Sequence, residues 1–189
     1  MTAHTPASSA FPIARRGELG YNNEQVDRLL QRARATYDRS PNLADPVTAA
    51  EIRSTAFTVK RKGYSARFVD SAMDRLEEVF YERERRARIE LIGEEAWWAE
   101  VGALLSEVRG RLTREKGKRL SRRGIFASGY RRSQVDAFLD RVAATFAGRD
   151  DVKAADVRSV VFHAQLGGYN EDQVDALLDS VIELLLAAR

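Results

Sequence analysis

Apolar residues recur every three or four positions along several stretches, the period of helices with one buried face. One stripe runs Val26, Leu29, Leu30, Ala33, Tyr37, and a second Val69, Ala72, Met73, Leu76, Val79, Phe80. A third runs Val135, Phe138, Leu139, Val142, Phe146, and a fourth Val174, Leu177, Leu178, Val181, Ile182, Leu185. The second helix is expected to continue through Arg88 to about Ile92, and a further helix carries Trp97, Val101, Leu104, Leu105, Val108 and Leu112.

The same short pattern precedes every one of the four stripes. It reads Gly20-Tyr21 then Val26-Asp27, Gly63-Tyr64 then Val69-Asp70, Gly129-Tyr130 then Val135-Asp136, and Gly168-Tyr169 then Val174-Asp175, always at the same internal spacing. Gly before Tyr predicts a turn with positive φ, and the ring supplies an apolar body with a polar tip at the helix start. Asn22 with Gln25, and Asn170 with Gln173, have the spacing of a capping box. Thr48 with Glu51 is another, predicting a short helix through Ser54 ahead of Phe57.

Repetition extends to pairs of copies. The run from Ala49 to Phe57 matches that from Ala154 to Phe162 at an offset of 105 residues, which the following Gly63 and Gly168 keep; Gly20 and Gly129 lie 109 apart. The chain reads as a duplicated pair. Pro41 and Pro46 fall in a linker between the first two copies, where proline breaks any helix. Gly148 to Asp151 plays that part in the second half.

A lone copy buries seven or eight apolar side chains, worth roughly 1.5–3 kcal/mol each when fully covered. Ordering its backbone costs about 1–2 kcal/mol per residue. Copies must therefore share their stripes, within one chain or between chains.

Composition narrows the classes of function. The 189 residues contain no Cys and only two His, so disulfides, thiolate metal sites and histidine clusters are excluded. At 44% apolar and 31% charged, with no run near the roughly 20 apolar residues that span a bilayer, the chain fits a helical, cytoplasmic protein. Strands are not expected to dominate. The net charge of +3 does not by itself demand nucleic acid. No phosphate loop, Ser-His-Asp arrangement or metal-ligand spacing occurs, so neither an enzyme nor a cofactor is expected.

An Ile/Val-Arg lead-in, a Phe (Phe57, Phe162), then Gly-Tyr, Val-Asp and an apolar-stripe helix resemble the N-terminal domain of DivIVA, as in actinobacterial DivIVA-domain repeat proteins. The resemblance is closest over Ala49–Phe80, next over Ala154–Leu186, and covers somewhat over half the chain. It implies a cytoplasmic scaffold of cell division or polar growth, dimerisation, and turn tips that touch the inner face of the membrane through a Phe beside a basic residue just before the Gly. Here those positions are Glu18-Leu19, Arg61-Lys62, Ala127-Ser128 and Leu166-Gly167. Only Arg61 and Lys62 keep the basic character, and Leu166 alone is apolar at the insertion position. No long coiled coil follows.

The four motif aspartates are read as structural, accepting from turn backbone or from an Arg such as Arg53 or Arg158. The basic stretch between Arg109 and Arg132, with Arg114, Lys116, Lys118, Arg119, Arg122 and Arg123, is a candidate contact for anionic lipid or a partner. Aromatics are sparse within it, which makes nucleic acid the weaker reading. Trp97 and Trp98 stand about 100° apart on a helix, so one should pack and the other stay partly exposed. His163 is read as a lone surface histidine.

The expected architecture is all-α: a helical repeat or bundle of four turn-helix DivIVA-like units arranged as a duplicated pair, plus long connecting helices. Its expected divisions are a disordered tail at 1–10, a first pair at 11–80, connecting helices at 81–116 and a second pair at 117–189. The expected role is a protein-interaction or adaptor module, with another protein or a second copy (a homodimer) as partner. The alternative is a peripheral binder of anionic membrane through the basic connector.

Overall fold

The computed structural model describes residues 10–38, 46–124 and 126–189. The expected tail lies outside them except for Ala10, and so does most of the first linker. Eleven elements follow in order among the described residues: β1 (Leu19–Tyr21), α1 (Asn23–Tyr37), α2 (Ala49–Ser54), β2 (Val59–Arg61), α3 (Ala66–Ile92), α4 (Glu94–Leu112), β3 (Ser128–Tyr130), α5 (Arg132–Phe146), α6 (Ala154–Ser159), β4 (Ala164–Leu166) and α7 (Glu171–Ala187). Helix makes up 61% of the described residues, so the structure is mainly helical and compatible with a helical bundle. Its contacts divide it into two units, the boundary falling after Ala87.

The segments expected to be plain turns are short strands. In the first unit β1 pairs antiparallel with β2, placing Leu19 opposite Arg61 and Tyr21 opposite Val59. In the second, β3 pairs with β4, placing Ser128 opposite Leu166 and Tyr130 opposite Ala164. These are the same positions, displaced by the repeat offsets. Two copies of the motif thus meet inside each unit.

The helix starts use their polar side chains differently from a capping box. Asn22 Oδ1 accepts from the Glu24 amide at 3.1 Å, while Gln25 Oε1 reaches across to accept from the Thr58 amide at 2.8 Å. Asn170 Oδ1 accepts from the Gln173 amide, and Gln173 Oε1 accepts from the Ser121 amide at 2.9 Å. The glutamines tie each helix to the lead-in of the other copy. Thr48 does cap α2, accepting from the Glu51 amide at 3.1 Å.

In the first unit Leu29, Ala33, Val47, Ala49, Ile52 and Phe80 form one cluster, and Val26, Tyr64 and Val69 a second; Phe57 and Met73 pack against both. A buried ion pair sits there too, Arg53 Nε 2.8 Å from Glu77 Oε1. The second unit holds an additional layer, because α4 packs on α7 and α5. Trp97, Val108 and Leu112 of α4 are buried, as are Leu177, Val181 and Leu184 of α7.

Candidate interaction surfaces

Gly20, Gly63, Gly129 and Gly168 do not carry the expected positive φ, which falls elsewhere, at Lys62 (φ 59°) and Gly167 (φ 61°) among others. What the motif glycines supply is room. A Cβ on Gly129 would stand 2.2 Å from the Tyr169 carbonyl oxygen, and one on Gly20 2.4 Å from that of Tyr64. On Gly63 it would meet the Gly20 oxygen at 2.4 Å, and on Gly168 the Tyr130 oxygen at 2.5 Å. The two backbones of a unit touch at their glycines, closer than any side chain permits.

That approach lets the tyrosines bond reciprocally. Tyr21 N donates to the Tyr64 carbonyl and Tyr64 N to the Tyr21 carbonyl, both at 2.8 Å. Tyr130 and Tyr169 repeat the exchange at 3.0 and 2.9 Å. The hydroxyls then cross over to the opposite helix. Tyr64 donates to Asp27 at 3.2 Å and Tyr169 to Asp136 at 3.0 Å, while Tyr21 bonds Asp70 and Tyr130 bonds Asp175. Each motif carboxylate therefore receives the tyrosine of the other copy, and Arg53 goes to Glu77 instead. Phe57 lies against Tyr21, ring centroids 5.5 Å apart, and Phe162 against Tyr130 at 5.4 Å. Val26, Val69, Val135 and Val174 are fully buried beneath.

The titration behaviour follows from this packing. Partial removal from water raises Asp70 and Asp175 above the usual carboxylate range, against the lowering effect of the Tyr21 and Tyr130 hydroxyls. The same loss of water, with the neighbouring carboxylate, raises Tyr21 and Tyr130. Burial would raise Asp140 as well, but hydrogen bonds from Lys116 and Arg119 hold it below its ordinary value.

Most of the basic connector is engaged internally. Arg119 is buried: its Nη1 donates to the Asp136 carbonyl at 2.9 Å and its Nη2 to Asp140 at 2.6 Å. Lys116 pairs with Asp140 at 2.6 Å, and Lys118 with Glu115 at 2.8 Å. Arg114 donates to the Arg119 carbonyl and Arg122 to that of Gly117. Arg123 stands 3.8 Å from Asp172. Arg119 is thus a structural cation, not a surface one; Lys116 and Arg123 tie the connector to α5 and α7, and Arg114, Lys118 and Arg122 bond within it. The acids it meets are Asp140 on α5, Asp172 on α7 and Glu115 within the connector itself.

Outward-facing apolar groups lie elsewhere. Leu166 is 69% exposed, and Phe126, which the sequence reading did not single out, is 91% exposed. The two occupy one end of the β3–β4 ribbon, where Gly167 N donates to the Ala127 carbonyl at 3.0 Å. In the first unit Arg61 and Lys62 are exposed at the corresponding end. Trp97 is buried and Trp98 is 47% exposed, the division expected of adjacent tryptophans. His163 is exposed, its amide donating to Gln134 at 2.8 Å. No helix among the described residues is long and apolar enough to cross a membrane. No family model, curated protein or solved structure matches the chain.

Proposed function

We propose that this chain is a non-enzymatic interaction or adaptor module, made of four DivIVA-like units clasped as two pairs and serving the cytoplasmic division or polar-growth machinery. The observation that carries the reading is the destination of the motif's polar groups. All four aspartates face the tyrosine of a neighbouring copy, which supports a structural role for the carboxylates that would otherwise be candidates for chemistry. What is left for recognition is exterior: Trp98, Phe126, Leu166 and the ribbon ends. Capture from native cytoplasm with the tagged full chain tests this. A discrete protein should be retained by the wild type and lost from a Trp98→Ser, Phe126→Ser, Leu166→Ser variant that melts normally. No retained protein, or equal retention by both, overturns it.

One observation favours a second reading, peripheral binding to anionic membrane. Phe126 and Leu166 are both exposed at one ribbon end with the exposed Arg122 nearby in the chain, a combination that suits a lipid headgroup layer. Co-sedimentation with phosphatidylglycerol vesicles should then be reduced at high salt and abolished by Phe126→Ser; no sedimentation at any salt removes this reading.

A further inference from the structure

The duplication lets one unit be read against the other. In the second unit α4 packs on α7, whose Leu177, Val181 and Leu184 are all buried. Arg111 in its last turn shares a groove with Asp172 and Gln173 in the first turn of α7, so the two helices run antiparallel. Among the described residues the first unit has no such helix of its own, yet the corresponding positions of α3 remain apolar: Ala72, Leu76 and Val79. Val79 is 47% exposed, where its counterpart Leu184 is 5% exposed. A valine left exposed where the other unit buries a leucine has the character of an interface position.

The charges at the rim specify the occupant further. Where Arg111 of α4 and Arg114 just beyond it share a groove with Asp172, the first unit has Arg67 in the aspartate's place, exposed and stacked over Phe68 at 4.7 Å. Arg75, also exposed, replaces Ser180. A helix seated there like α4 would set its C-terminal turn against Arg67. That end already carries the negative pole of the helix dipole, and acidic side chains there would complete the match where basic ones would be repelled.

We infer that the face of Ala72, Leu76 and Val79 seats an amphipathic helix of another protein, antiparallel to α3 and acidic in its last turn. This rests on the interaction-module reading and names the chemistry of one partner. Helix-in-groove recognition of this kind uses apolar anchors at helical spacing with a charged rim that sets direction.

The test uses the full-length chain and two labelled peptides, one with the α4 sequence 94–112 and one with Arg109→Glu and Arg111→Glu in it, read by fluorescence anisotropy. The acidic peptide should bind at least tenfold more tightly than its parent. Val79→Glu should weaken it at least tenfold, and Arg67→Glu, a surface change, should reverse the order of the two peptides. Equal binding of both, or an order unchanged by Arg67→Glu, overturns the proposal; the latter would mean displacement of the chain's own α4. A dimer in sedimentation equilibrium that Val79→Glu converts to monomer also overturns it, by giving the face to a second copy. If these fail while a cytoplasmic partner is still captured through Trp98, Phe126 and Leu166, only this inference falls.

Discussion

The hydroxyl of Tyr169 donates to Oδ1 of Asp136 at 3.0 Å, within a buried site where Asp136 Oδ2 also accepts from the Gly117 amide at 2.7 Å. Its counterpart, Tyr64 to Asp27, is longer at 3.2 Å and only partly buried. A carboxylate deprived of a donor loses most where water cannot replace it. Tyr169→Phe should therefore destabilise by about 1–3 kcal/mol, and Tyr64→Phe by clearly less. Urea unfolding of both variants measures the difference, and equal losses would contradict the role of burial.

The four motif copies and their helices are visible in the spacing of Gly, Tyr, Val and Asp, and the duplicated pair in the 105- and 109-residue offsets. The crossing of Tyr and Asp is not, because a motif repeated identically does not reveal whether its polar partners lie in the same copy or the next. A trace existed. Copy two has Phe68 where the others have glutamine, and its partner position is Pro12, which has no amide to offer, whereas Ser121 opposite Gln173 has one. Likewise the positive φ was assigned to the invariant glycines, yet the variable position just before them, Lys62 in one half and Gly167 in the other, is where it falls. Arg119 looked solvated because its acceptors lie 17 to 21 residues away on α5.

Those backbone assignments predict opposite outcomes at adjacent residues. Gly63→Val and Gly168→Val must force apart backbones already in contact, and should cost about 3 kcal/mol or more. Lys62→Gly relieves a left-handed residue and should stabilise by about 0.5–1 kcal/mol after the entropy of the unfolded glycine is subtracted. Thermal melting distinguishes them by sign. A Lys62→Gly variant that melts lower would refute the strain at this position.

In the buried pair Arg53–Glu77, the counterpart of Glu77 in the second half is isoleucine, Ile182, while that of Arg53 is Arg158. Removing one charge strands the other in an apolar site, so Arg53→Met should cost about 3–5 kcal/mol. Replacing both, Arg53→Met with Glu77→Ile, should restore stability to near wild type, since no charge is then left stranded and an isoleucine already stands at the site corresponding to Glu77. A double variant no better than the single one would show that the pair holds the fold in another way.

Acid and base should act oppositely on two carboxylates of the second unit. Asp175 is raised, so the folded chain holds its proton to higher pH than the unfolded chain does; its contribution to stability declines as pH climbs through that raised range. Asp175→Asn should gain on wild type near neutrality and lose that advantage below about pH 4. Asp140 is lowered, so its contribution is present above the ordinary carboxylate range and is lost as pH falls through the depressed value. Asp140→Asn should be destabilising at neutral pH, with the deficit closing in acid. Melting temperatures across that range, compared with wild type, read both differences.

Because each ring is locked by the carboxylate of the opposite copy, the clasp has no preference for its own chain. Residues 147–153 alone join α5 to α6, and so short a tether keeps the proper partner at an effective concentration of about millimolar. Lengthening or cutting that tether would turn an internal latch into a fastening between molecules, with the number of chains in an assembly then governed by dilution.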